Sequence, residues 1–120
     1  MAGGLRFRSE AILVSSKGAN YTVAGSPITI VPTTQLVGLQ RAAIYRVAIE
    51  AIGAATVQFQ DTGANVISAQ FSLAALGFLI LDTPINGDPW WQAAAAGLGL
   101  QMLLTGTGPV AADIWWGAGA

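Results

Sequence analysis

The sequence predicts a single all-β domain, a sandwich or a barrel. Turn signals recur about every 8–12 residues along the 120-residue chain, the spacing of short strands joined by tight connections. Several segments between those turns alternate apolar and polar residues with a period of two. A sustained helical stripe is absent except at Gln35–Ile52, and the β-branched residues there argue for strand. The whole chain, residues 1–120, reads as one domain with no internal repeat and no linker.

Met1–Gly4 reads as a flexible start and Leu5–Val14 as a strand-like piece, so residues 1–20 form an N-terminal arm ahead of the main body. Ser15–Asn20 clusters Ser, Gly and Asn and predicts a turn. Tyr21–Val23 and Ile28–Val31 are short extended pieces around Gly25 and Pro27, and Pro32-Thr33-Thr34 breaks the chain again. In Tyr45–Ala51, Tyr45, Val47, Ile49 and Ala51 fall on one face, with Arg46, Ala48 and Glu50 on the other. Thr56–Asp61 repeats the alternation. With Gly53-Ala54-Ala55 between them, the two segments predict a hairpin. Asp61-Thr62-Gly63 is the next turn, because Asp and Gly accept tight-turn dihedrals. Asn65–Phe71 and Gly77–Leu81 follow as strands, and Asn86-Gly87-Asp88-Pro89 as a turn. The alanine run in Gln92–Ala96 predicts a short helical turn. Leu98, Leu100, Met102 and Leu104 then alternate as a strand, Thr105–Pro109 turns, and Val110–Trp116 closes the domain. In that last strand Val110, Ala112, Ile114 and Trp116 oppose Ala111, Asp113 and Trp115.

Composition narrows function. Only 9% of residues are charged, against roughly 25% in an ordinary soluble domain, while 53% are hydrophobic and the formal net charge is -1. A surface so poor in charge tends to associate. There is no Cys and no His, which removes disulfides, thiolate metal sites and a Ser–His nucleophile. Lys17 is the only lysine, and Arg6, Arg8, Arg41 and Arg46 are too scattered to track a phosphate backbone, so no nucleic acid is expected. The charge-free runs Thr62–Leu81 and Pro89–Ala112 are interrupted by Asn, Gln, Gly and Pro and make poor membrane spans. Ala11–Val14 is too short for a signal-peptide core.

Glu10, Glu50, Asp61, Asp82, Asp88 and Asp113 are the carboxylates. Asp61, Asp82 and Asp88 sit at predicted turns, where local hydrogen bonding explains them. Asp82, Asn86 and Asp88 are close enough to offer oxygens to a calcium ion but lack EF-hand spacing. Gly106–Ala111 matches a loose G-x-G-x-x-A string, yet a strand follows it and it reads as a turn. No catalytic residue, metal ligand or cofactor site emerges. The tryptophans stand out as two adjacent pairs, Trp90-Trp91 and Trp115-Trp116. Neighbours in a strand face opposite ways, so one Trp of a strand pair enters the core and the other suits an interface or a sugar platform.

The stretch Ile44–Trp116 resembles small tailed-phage virion proteins of the capsid decoration or cement type. The strings that carry the likeness are AIYRVAIEAIGAATVQFQDTGA, FSLAALGFLILDTPINGDPWW and QAAAAGLGLQMLLTGTGPVAADIWW. The resemblance implies a β-sandwich, often jelly-roll-like, with no activity and no cofactor. It implies homotrimers that stabilise the phage head by binding across neighbouring major capsid protein subunits on the virion surface. The interface is expected from Arg6, Phe7 and Arg8 in the arm and from Trp90, Trp91, Trp115 and Trp116. The alternative is a carbohydrate- or receptor-binding module of a phage fibre or spike, which an exposed Trp90 or Trp91 beside polar groups would favour. A membrane-active protein is the weakest of the readings.

Overall fold

The computed structural model describes residues 14–15, 19–82, 84 and 87–119, with side chains from Asn20 onward. Most of the predicted arm, with Arg6, Phe7 and Arg8, lies outside the described residues, as do Lys17 and Asn86. The strands are β1 (Val14–Ser15), β2 (Ala19–Tyr21), β3 (Ile28–Val31), β4 (Arg41–Ala51), β5 (Ala55–Asp61), β6 (Phe71–Leu73), β7 (Phe78–Leu81), β8 (Trp91–Gln92), β9 (Leu100–Gly106) and β10 (Val110–Gly119). Two short 3₁₀ turns, Val23–Gly25 and Thr33–Gln35, complete the chain order.

The strands form two antiparallel sheets packed as a sandwich. In one sheet β10 and β4 are central, with β1 and β2 on the free side of β10 and β7 and β8 on the free side of β4. The other runs β3-β9-β5-β6. With each interrupted edge taken as one strand, the first sheet reads first, eighth, third, sixth and the second reads second, seventh, fourth, fifth. The all-β expectation is met, and the choice between sandwich and barrel falls on the sandwich.

Between the sheets Ile44, Val47, Ile49, Val110, Ile114 and Trp116 meet Val57, Phe59, Leu100, Met102 and Leu104. These inward positions follow the period of two in β5, β9 and β10, as the alternation in the sequence requires.

The predicted hairpin over Tyr45–Asp61 does not form. Both edges of β4 are already taken, by β10 and by β7 with β8, so β5 crosses to the opposite sheet. The corner is fixed by Ile52 N–H donating to the Pro109 carbonyl at 2.9 Å. Gly53 lies so close to the Gly108 carbonyl that a Cβ would not fit.

Tyr45 also departs from expectation. The β4–β10 pairing shifts so that Trp115 opposes Arg46 while Trp116 opposes Ile44, leaving Tyr45 as the extra residue of a bulge. Ile44 rather than Tyr45 therefore enters the core. Tyr45 joins Ala43 in a small second cluster.

Three further expectations change. Asn20 belongs to β2 rather than to a turn. Asn65–Phe71 makes a single bridge, Val66 to Gln60, before β6 begins. The alanine run is not helical, because its N–H groups bond elsewhere: Ala93 to the Ala42 carbonyl, Ala94 to the Asp61 carboxylate, and Gly97 to the Gln40 carbonyl.

Gly99 ties the start of β9 to the ends of β3 and β5 at one end of the four-stranded sheet. Its N–H donates to Thr62 Oγ1 at 2.9 Å and its carbonyl accepts from Thr62 N–H at 3.1 Å. A Cβ there would strike the Val31 carbonyl oxygen and lie 3.1 Å from Thr62 Cγ2. Backbone cannot yield as a flexible side chain does. Gly99→Ala is expected to cost about 2 kcal/mol or more in urea unfolding. A midpoint equal to wild type would show that β3 moves freely.

Candidate functional site

The outer face of the six-stranded sheet is a grid set by strand register. Across one row lie Phe78, Glu50, Ala111 and Asn20; across the next lie Ile80, Ala48 and Asp113; across the third lie Arg46 and Trp115. Ala48 and Ala111 end at Cβ, so the floor dips between taller neighbours. The result is a groove of about 480 Å³ walled by Phe78 and Ile80. Those two side chains are 65% and 58% exposed and stand next to each other on the outward side of β7. Glu50 and Asp113 stand diagonally across β4 and β10 and both line the groove.

The end of the grid is more ordered. The Arg46 guanidinium carbon lies 4.7 Å above the Trp115 ring centroid, and Arg46 Nε pairs with Asp82 at 3.4 Å. At this exposure the ion pair contributes little, and the cation–π contact about 0.5–1 kcal/mol. Tyr45 is buried nearby. Its phenol is pushed up to about 12, first by burial and then by the Asp88 carboxylate, so it stays neutral at physiological pH.

The structure places the four predicted tryptophans in two pairs of opposite orientation. Trp116 is 6% exposed in the core, whereas Trp115 lies half-buried on the outer face. Trp91 packs inward, 5.5 Å from Phe59 and 5.9 Å from Phe71 between ring centroids. Trp90 is 41% exposed and donates its indole N–H to the Asp82 carbonyl at 2.7 Å. Trp90 and Trp91 touch at 6.4 Å between ring centroids, but Trp90 immediately precedes β8 on one side of β4 while Trp115 lies on β10 on the other side. Arg6, Phe7 and Arg8 fall outside the described residues.

Asp61 is fully buried and serves as a tie between loops. Its carboxylate accepts from Gly63 N–H at 2.9 Å, Asn65 N–H at 3.0 Å, Asn65 Nδ2 at 3.0 Å and Ala94 N–H at 2.9 Å. Burial acts to raise its pKa, but these donors outweigh it, Ala94 first, and the group titrates below the usual carboxylate range. The turn reading of Asp61 is thereby met.

The outer face of the four-stranded sheet has a different character. Thr56, Gln58 and Gln60 alternate outward along β5, facing Thr105, Leu103 and Gln101 on β9. The Thr56 and Thr105 hydroxyls bond one another, and Gln60 Nε2 donates to Gln101 Oε1 at 2.7 Å. None of these outward residues carries a charge.

Among the described residues no group of three or more acidic side chains is placed to hold a metal, and no helix is long and apolar enough to cross a membrane. Sequence reasoning missed the groove, although its wall was visible as the unbroken apolar run Phe78–Leu81, which alternation would have made half polar. The groove offers an apolar wall, an alanine floor and two carboxylates. No family model, curated protein or solved structure matches the chain.

Proposed function

We propose that this chain is a non-catalytic structural subunit that associates with itself and packs against a larger protein lattice. On the resemblance of Ile44–Trp116, the lattice is a phage head built of major capsid protein. The subunit is then a decoration or cement protein on the virion surface, assembled as a homotrimer.

One observation carries the reading. The outer face of the four-stranded sheet presents Thr and Gln ladders whose polar groups bond each other, with no charged side chain among them. Such a face meets a protein surface at low desolvation cost, because its hydrogen bonds are already made. Charged residues are depleted in the cores of interfaces for the same reason. We read the two antiparallel sheets as jelly-roll-like, in keeping with their strand order, and that architecture is used by viral capsid and lectin domains alike. Fold alone therefore does not choose between these readings.

Light scattering after size exclusion without detergent tests this. The expected mass is that of a discrete trimer of the 12.3 kDa chain. The trimer is then expected to cosediment with phage heads that lack it, and to raise their dissociation temperature by binding only the assembled lattice. A monomer that leaves the heads unchanged would sink the proposal. The alternative, a glycan- or receptor-binding module, rests on the exposed Trp90. A glycan-dependent change in fluorescence, lost in Trp90→Ala, would move the assignment there.

A further inference from the structure

We propose that the groove on the outer face of the six-stranded sheet receives the Arg6–Phe7–Arg8 segment of a second copy of this chain, an inference that rests on the self-association reading above. Phe78 and Ile80 offer an apolar wall over the alanine floor, and Glu50 and Asp113 place two carboxylates across it. The complementary occupant carries one apolar side chain between two cations. Arg6-Phe7-Arg8 is the only place in the sequence where an aromatic residue has a cation on each side.

Charge is divided along the chain in the same sense. The described residues hold two cations, Arg41 and Arg46, against five carboxylates. The first seventeen residues hold three cations, Arg6, Arg8 and Lys17, against Glu10 alone. The two cations of the sandwich are already engaged: Arg46 pairs with Asp82 and covers Trp115, and Arg41 Nη2 donates to the Ala94 carbonyl at 3.3 Å. Glu50 and Asp113 have no ion pair among the described residues. Any partner cation for them would come from the N-terminal stretch or from another molecule.

The direction of β1 favours a neighbour over the same chain. Val14 opposes Trp116 and Ser15 opposes Trp115, so β1 leads toward the groove only in the C-terminal direction, to Asn20 opposite Ala111. Followed backward, β1 itself steps from Ser15 opposite Trp115 to Val14 opposite Trp116, away from Ala111 and Asp113. The six residues from Arg8 to Val14 span at most about 20 Å, enough to cross to an adjacent subunit.

Two variants of the full chain test the proposal, with Lys17 unchanged in both. One carries Arg6→Ala, Phe7→Ala and Arg8→Ala; the other carries Glu50→Lys and Asp113→Lys. Glu50 and Asp113 lie outside the core, and thermal melts within a few degrees of wild type verify folding of both variants. Each variant alone is expected to fall from the wild-type assembly mass to a single 12.3 kDa chain. Mixed in equal amounts they are expected to form a one-to-one pair, since one retains the groove and the other the arm. Raising the salt is expected to weaken wild-type assembly. Wild-type mass in either variant alone would overturn the proposal, and so would a mixture that stays monomeric, the result expected if the occupant comes from the same chain. A monomeric wild type that still binds phage heads would overturn the arm exchange and leave the decoration reading standing.

Discussion

Asp61→Ala is expected to lower the unfolding free energy by about 3–5 kcal/mol, measured by urea denaturation at neutral pH. The cost comes mainly from what the substitution leaves behind. Three backbone N–H groups, those of Gly63, Asn65 and Ala94, would lose their acceptor inside a site with no solvent access to Asp61. A buried donor without a partner costs about 1–3 kcal/mol. Ala94 matters most, because its bond ties the β8–β9 loop to the end of β5, 33 residues away in sequence.

The same site sets an acid limb. The Asp61 carboxyl titrates below its ordinary value in the folded protein, so folding favours the ionised form. Its contribution is fully present above the unfolded pKa of about 3.9 and is lost as pH falls through the lower folded value. Stability is therefore expected to decline below about pH 4. Asp61→Asn keeps the shape and removes the titration, so its stability should be lower at neutral pH and flatter through the acid range. An acid limb of wild-type steepness in that variant would assign the effect to other carboxylates.

Legibility in the sequence followed the range of the interaction. The Asp61 turn was readable because Asp-Thr-Gly announces it within three residues, whereas the tie to Ala94 depends on a fold that brings distant loops together. The two faces of β10 were readable because Val110–Trp116 alternates without interruption. Tyr45 was misplaced because a bulge adds a residue, and β4 is apolar enough on both sides of it for either register to look amphipathic. The false hairpin arose in the same way. Two alternating strands with a Gly-Ala turn between them look alike whether they pair or cross between sheets, and only the competition for the edges of β4 decides. The groove needed still more, since its floor exists only once Ala48 and Ala111 are set side by side on neighbouring strands.

Trp116→Ala and Trp115→Ala are expected to separate folding from association, although the residues are adjacent. Trp116 is buried between the sheets, and truncating a buried Trp to Ala costs about 3–5 kcal/mol through lost contacts and the cavity left behind. That variant should unfold at markedly lower urea, or fail to accumulate. Trp115 projects from the opposite face of β10, and its main described partner is the Arg46 guanidinium. Its loss should cost about 1 kcal/mol or less in the isolated fold. If the outer face of the six-stranded sheet is an interface, Trp115→Ala weakens assembly at a protein concentration where the wild type is fully associated, while its melting curve barely moves. A large loss of stability in both variants would mean that Trp115 is held by more than the contacts around Arg46. A small loss in both, with assembly intact, would remove the second tryptophan pair from the proposed interface and leave Phe78 and Ile80 as its candidate apolar residues on this face.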